Sequence, residues 1–193
     1  ELGAIPFKAK KVIFNQNAYY TFLGYPLSGE ASGVPYLDGS VEATITVSEQ
    51  NRRYLQELFP GHRIARIRHG IDQQVFRYNP EKKKQLAFMS RKLPLQVHHI
   101  INALKCRGKL RGFDLVPIDG LSATETAGIM RDSLIFLSFS TLEGFGLPPA
   151  EAMSCGCIVI GYSGNAGEEY FRPSFSYPVP PEDIFTYITT VEK

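Results

Sequence analysis

The chain has 193 residues, 44% hydrophobic and 21% charged, an ordinary globular composition with enough apolar material for a real core and a length that suggests one domain and a fraction of another. Its formal charge of +2 excludes a nucleic-acid binder held on a broad basic face and an acidic solvating tail, so a polyanionic ligand has to be gripped locally. Cys106, Cys155 and Cys157 are odd in number and lack disulfide or zinc spacing, and neither a signal peptide nor an apolar run of roughly 18 residues is present; the expectation is a cytoplasmic protein without a metal, peripheral to a membrane if it meets one.

KVIFNQN, residues 11–17, is a short apolar run ending in three polar amides, the pattern of a buried parallel strand that delivers polar groups to its carboxyl end. The Gly/Pro/Ser-rich stretch from Gly24 to Gly39 reads as a long loop. A strand follows at Glu42 to Val47. A helix then opens at Ser48, whose hydroxyl can cap the first turn, carries Tyr54, Leu55, Leu58 and Phe59 at helical spacing, and closes at Pro60-Gly61. RIARIRHG makes one more short strand. Three strands and one helix cannot cover both faces of a parallel sheet, so residues 1–69 read as the end of a domain whose beginning lies elsewhere. The first residue is Glu1 rather than methionine and DIFTYITTVEK stops inside a helical pattern, so both ends read as cuts.

From Ile71 onward, short apolar strands alternate with amphipathic helices. The expected strands are Gln85 to Ser90, Phe113 to Pro117, Leu134 to Ser138, Cys157 to Ile160 and Phe175 to Tyr177. The expected helices are Leu95 to Lys105, Ala123 to Arg131, Pro148 to Cys155 and Pro181 to Val191. This alternation predicts a parallel, doubly wound α/β sheet whose ligands sit at the carboxyl ends of the strands, near the point where strand order reverses.

The chemistry concentrates in EGFGLPPAEAMSCG, residues 143–156. Gly144 and Gly146 flank Phe145, so the backbone can turn sharply and approach a ligand closely. Pro148 or Pro149 suits the first helical position, and the helix start aims free amides and a positive dipole end at phosphate or sugar oxygens. Glu143 precedes the turn and Glu151 lies about one turn into the helix, so the pair can accept from the hydroxyls of a ribose and a hexose. Taken singly, Glu151 reads as a residue that stabilises a helix start and Glu143 as a solvated loop acid. Together, around a glycine turn, they point to a site.

Glu143, the GFG turn and Glu151 resemble the two-glutamate signature of the group 1, or family 4, glycosyltransferases, which transfer sugars from nucleotide donors with retention. CIVIGYSGNAGEEYF resembles that family's following strand and glycine-rich loop, TVSEQNRRYLQELF the last strand and helix of its first domain, and HGID, residues 69–72, its interdomain linker. The resemblance implies two Rossmann-like domains of glycosyltransferase-B type: residues 1–69 as the terminal part of an acceptor-side domain, and 70–193 as the nucleotide-sugar-binding domain. It implies Glu151 on the ribose, Glu143 on the donor hexose, and the amides near Phe145 to Leu147 on sugar or phosphate. It also implies Arg91 on the diphosphate, with Lys92 beside it; the family's usual lysine comes several residues later, near Gln96. Gln16 and Asn17, with Asn15, stand where the family often places a histidine, and as amides they can hydrogen-bond a sugar but cannot act as general bases. Their bland reading, polar residues that start a loop, has equal weight.

His98 and His99 read as surface residues beside an apolar helix face, and Cys155 and Cys157 as packing thiols. The implied function is metal-independent, cofactor-free transfer of a hexose from a UDP- or GDP-sugar to a saccharide or lipid-linked acceptor, in bacterial polysaccharide biosynthesis, with the chain inactive in isolation. Two alternatives stay open: a non-catalytic sugar-nucleotide binding module and a sugar-nucleotide epimerase of related architecture.

Overall fold

The computed structural model describes residues 9–28 and 33–193, so part of the Gly24–Gly39 loop lies outside the described residues. The chain divides into two units, one of Glu1–His69 with Glu143–Phe145 and the other of Gly70–Leu142 with Gly146–Lys193.

In the first unit, β1 (Lys11–Asn15), β2 (Val41–Thr46) and β3 (Ile64–Arg66) form a parallel sheet in that order. The strand β1 stops at Asn15, short of the expected Asn17, because the Asn17 side chain accepts from the Tyr19 amide and opens a 3₁₀ turn at Ala18–Tyr20. After β2, the Ser48 hydroxyl accepts from the Asn51 amide and starts α1 (Glu49–Leu58). Asn51 and Leu55 are both buried and lie four residues apart, which places them on one helical face. Leu55 and Phe59 pack with Ala18, Val34 and Tyr36, and the Tyr36 and Phe59 rings stack with centroids 4.6 Å apart. Along β1 the period of two sends Ile13 into this cluster and leaves Val12 and Phe14 exposed.

In the second unit, β4 (Lys83–Phe88), β5 (Asp114–Pro117), β6 (Ser133–Glu143), β7 (Ile158–Asn165) and β8 (Ser176–Pro178) form one sheet in the order β5-β4-β6-β7-β8. The pairs β4–β5, β4–β6 and β7–β8 are parallel. Helices α2 (Pro94–Cys106), α3 (Ala123–Asp132), α4 (Leu147–Ser154) and α5 (Ile184–Val191) cover both faces. Leu86, Phe88, Leu137, Phe139, Ile160 and Tyr162 join the core residues of α2 and α5, whereas Ala87, Phe136 and Val159 join those of α3 and α4. Alternate residues of the central strands thus feed two separate cores, which is why these strands read as continuous apolar runs.

Two strands outrun their expected ends. Phe139 follows Leu137 on the same face, so β6 continues past Ser138 to Glu143, and Glu143 is a strand terminus rather than a loop acid. Tyr162 likewise follows Ile160 into the core, carrying β7 through Gly161 to Asn165, where a glycine-rich loop was expected. Gly161 has φ +126°, and a Cβ there would meet the Ser138 oxygen at 2.2 Å and the Tyr187 hydroxyl at 2.4 Å. That hydroxyl donates to the Ser138 and Ile160 carbonyls. At the opposite end of the helices, the Lys82 ammonium donates to the carbonyls of Met130, Arg131 and Cys155, tying the last turns of α3 and α4 together. No helix among the described residues is long and apolar enough to cross a membrane.

Candidate functional site

The strand order places the topological switch point between β4 and β6: from β4 the chain moves outward to β5, then crosses back to β6 and proceeds the other way. Ligands of open parallel sheets bind in the crevice this reversal creates at the carboxyl ends of the strands. The segment that leaves β4 carries exposed Arg91 and half-buried Lys92 and runs into α2. Beyond the end of β6, Gly146 leads into α4.

The helix starts around this point differ from the others. Helix α1 is capped by Ser48, α5 by Asp183, and α3 by a capping box in which Ser122 and Glu125 satisfy each other's amides. Neither α2 nor α4 has a side-chain cap; each opens from a left-handed residue, Leu93 (φ 48°, ψ 55°) and Gly146 (φ 82°, ψ 64°). Gly146 adopts this conformation freely, whereas Leu93 carries strain of about 1–3 kcal/mol that persists only where the surroundings enforce it. The two helices beside the switch point therefore present their first amides and dipole ends to the crevice.

Leu147, not a proline, is the first residue of α4, which puts Pro148 and Pro149 at the second and third positions. The expected single proline at the first position gives way to two that remove two of the four amides normally left free at a helix start. The donors that remain are those of Gly146 and Leu147. Tyr170 fixes this turn, its hydroxyl donating to the Gly146 carbonyl at 2.6 Å.

Glu151 is the fifth residue of α4, half-buried, and its carboxylate has no hydrogen-bond or ion-pair partner among the described residues. Burial pushes its pKa up. A carboxylate beyond the first turn gains little from the helix dipole, so stabilising the helix start does not account for it. A half-buried acceptor with nothing to accept from is suited to hydroxyls brought by a ligand.

Glu143, Gly144 and Phe145 belong to the first unit. There Gly144 lies against the backbone of Gln16, where a Cβ would fall 1.6 Å from the Gln16 carbonyl oxygen, so only glycine fits. The Phe145 ring is 5.1 Å from that of His69. Of the three consecutive amides that end β1 and follow it, Asn15 is buried and donates to the Tyr36 hydroxyl, Asn17 caps the 3₁₀ turn, and Gln16 is exposed. Two further residues near the crevice, Tyr170 and Tyr162, gave no signal in the sequence, because an aromatic residue within an apolar pattern reads as core. Cys155 and Cys157 are buried; His98 and His99 are exposed.

Residues 118–192 match the family described as glycosyl transferases group 1. Over 160 residues the chain is 31% identical to the alpha-1,6-glucosyltransferase of Actinobacillus pleuropneumoniae serotype 7, an alignment that covers 80% of this chain and 46% of that protein. The chain belongs to the group 1 glycosyltransferases. Its fold is that of glycosyltransferases of the GT-B type, with parallel sheets in Rossmann-like units. A TarM variant of S. aureus, crystallised with fondaparinux, alpha-GlcNAc-glycerol and UDP, superposes with TM-score 0.71 at 14% identity, covering 99% of this chain and 45% of that one. The sucrose-phosphate synthase of Thermosynechococcus elongatus gives 0.63 at 16% identity, covering 96% and 59%. This group 1 glycosyltransferase chain thus spans about half the length of the relatives it matches.

Proposed function

We propose that this chain is the nucleotide-sugar-binding part of a retaining hexosyltransferase, which moves a hexose from a UDP- or GDP-sugar to a saccharide or lipid-linked acceptor in polysaccharide biosynthesis at the cytoplasmic side of the membrane. The observation that carries the reading is the switch point itself: two uncapped helix starts, Arg91 and Lys92 after β4, and the partnerless Glu151 on α4. The glucosyltransferase name of the Actinobacillus relative and the UDP bound to TarM support it.

In this reading Glu151 accepts from the two ribose hydroxyls and Glu143 from a hydroxyl of the donor hexose. The guanidinium of Arg91 offers a planar fork to the diphosphate and Lys92 a compact cation beside it. The Gly146 and Leu147 amides donate to phosphate or sugar oxygens. As the glycosidic bond breaks, negative charge grows on the leaving diphosphate, and fixed donors already aimed at it lower the barrier without a proton transfer. Countercharge is assigned to Arg91, Lys92 and the helix starts, which the strand order brings to the same side of the switch point.

The test is a calorimetric titration of UDP, GDP and their sugar conjugates against the purified chain, with and without EDTA. Binding that survives EDTA is expected; binding only with added magnesium or manganese would overturn the assignment of countercharge. A full-length form incubated with donor and saccharide acceptors should yield a glycoside of retained configuration. Conversion of the donor to its epimer, or binding with neither transfer nor hydrolysis, would replace the transferase by an epimerase or a binding module.

A further inference from the structure

The loop that leaves β1 presents apolar side chains to solvent from a fixed base. No charged side chain stands between Lys11 and Glu30, in a chain of which 21% is charged. Leu23 is 78% exposed, Tyr20 59% and Leu27 fully, although leucine is normally among the buried residue types. The loop is nonetheless anchored. Ala18 is buried, the Tyr19 hydroxyl accepts from Gln50 at 2.6 Å and its ring lies 5.6 Å from that of Tyr54, and the Phe22 ring lies 5.9 Å from Tyr25 and 6.4 Å from Phe59.

The polar groups of this loop are turned inward. The amides of Tyr20, Thr21, Leu23 and Tyr25 donate to carbonyls three residues back, the Tyr19 amide donates to the Asn17 side chain, and Pro26 has no amide hydrogen to place. The Thr21 hydroxyl donates to the Ala18 carbonyl and the Tyr25 hydroxyl to the Gly33 carbonyl. With three residues to such a turn, Tyr20 and Leu23 fall on the same side. These properties select what the ridge touches. A protein surface offers about one hydrogen bond per 100–200 Å² of contact and a charged rim, and this loop keeps few polar groups free to answer them. Lipid makes the opposite demand: backbone groups satisfied within the chain, no charge, leucine at the tip, and a tyrosine whose hydroxyl stays at the level of the headgroups.

We propose that Tyr20, Leu23 and Leu27 form a membrane-docking ridge that dips into the boundary between headgroups and acyl chains of a lipid bilayer and holds the first unit against it. This deepens the proposed function, on which it rests for the membrane as the place of work, by naming the surface that meets the lipid. Because the ridge is uncharged, its attraction comes from burial of apolar area, which salt does not screen and which needs no anionic lipid. Two leucines and a tyrosine make a weak, reversible anchor, no stronger than a single acyl chain. The loop already has its docking shape, so little conformational entropy is lost on insertion.

The experiment is co-sedimentation of the chain with phosphatidylcholine vesicles, with and without phosphatidylserine, at low and high salt. The parent chain is expected to bind phosphatidylcholine vesicles alone and to keep binding at high salt. Leu23→Ser and Leu27→Ser should each lower the partition coefficient about tenfold and the double variant about a hundredfold, while all three melt with the parent because both side chains stand in solvent. Phe14→Ser, first shown to unfold cooperatively on heating, removes exposed apolar surface from β1 instead and should leave vesicle binding unchanged. Three results would overturn the proposal: a parent chain that binds no vesicles, binding that requires phosphatidylserine and is lost in salt, or an equal loss in Phe14→Ser, which would show unspecific adhesion of apolar surface. Vesicle binding is read without nucleotide, so its failure leaves the nucleotide-sugar reading standing. A chain that binds vesicles as expected but neither UDP nor GDP would overturn that reading and leave the ridge its role.

Discussion

Replacing Glu151 separates a ligand contact from a structural one. The side chain is half-buried on α4, has no partner among the described residues, and carries a pKa raised by burial. Its removal therefore deletes no hydrogen bond and no ion pair from the folded chain. A carboxylate shared between two ribose hydroxyls contributes roughly 1.5–3 kcal/mol, so Glu151→Ala should weaken UDP or GDP about ten- to a hundredfold while the melting temperature scarcely falls. Glu151→Gln sharpens the comparison. Because the folded-state pKa lies above the unfolded value of 4.5, ionisation of Glu151 opposes folding. The parent and Glu151→Gln should be equally stable below the unfolded value, and the parent should fall behind as pH rises through the folded one. Thermal melts from pH 4 to 8 read the stability and calorimetry the affinity. Unchanged nucleotide affinity in Glu151→Ala would show the ribose to be misplaced, and a parent that gains on Glu151→Gln as pH rises would show that the carboxylate has a partner in the fold.

Three further substitutions or reactions probe the framework that holds the site. Gly161→Ala drives a Cβ into the Ser138 carbonyl and the Tyr187 hydroxyl at a φ that side chains avoid, and should cost roughly 2–5 kcal/mol in urea unfolding; a loss below about 1 kcal/mol would mean that β7 moves aside freely. Lys82→Met removes the ammonium shared by the ends of α3 and α4, and a loss of about 1.5–3 kcal/mol is expected from equilibrium denaturation, whereas an unchanged midpoint would reduce those three hydrogen bonds to surface contacts. Among the cysteines, exposed Cys106 should react with a thiol reagent at pH 8 in the native chain. Buried Cys155, with its pKa raised, and Cys157, pushed up to about 12 by burial, should react only after unfolding; rapid labelling of all three would contradict the packing of α4 on the sheet.

Much of this protein is legible in order along the chain because the deciding interactions are local. Ser48 and Ser122 announce α1 and α3 by their own hydroxyls, and the switch of apolar spacing from two to 3.6 marks each strand and helix of the second unit. The glycine turn and the two glutamates stand out because few structures other than a strand-to-helix turn beside a ligand call for those residues together. Local pattern was silent on features fixed by partners distant in sequence. The strands β6 and β7 run on to Glu143 and Asn165 because Phe139 and Tyr162 find room in a core shared with α2 and α5. The contrast between capped and uncapped helix starts emerges only when strand order shows which helices flank the switch point. Gln96 accepts from the hydroxyl of a tyrosine 66 residues away, which an apolar pattern marks only as core. Sequence by itself thus determined which elements form, which family the chain resembles and which residues carry charge or a turn. Tertiary structure decided which of those residues face solvent without a partner, since a side chain's hydrogen bonds are completed or left open by whatever the fold brings beside it.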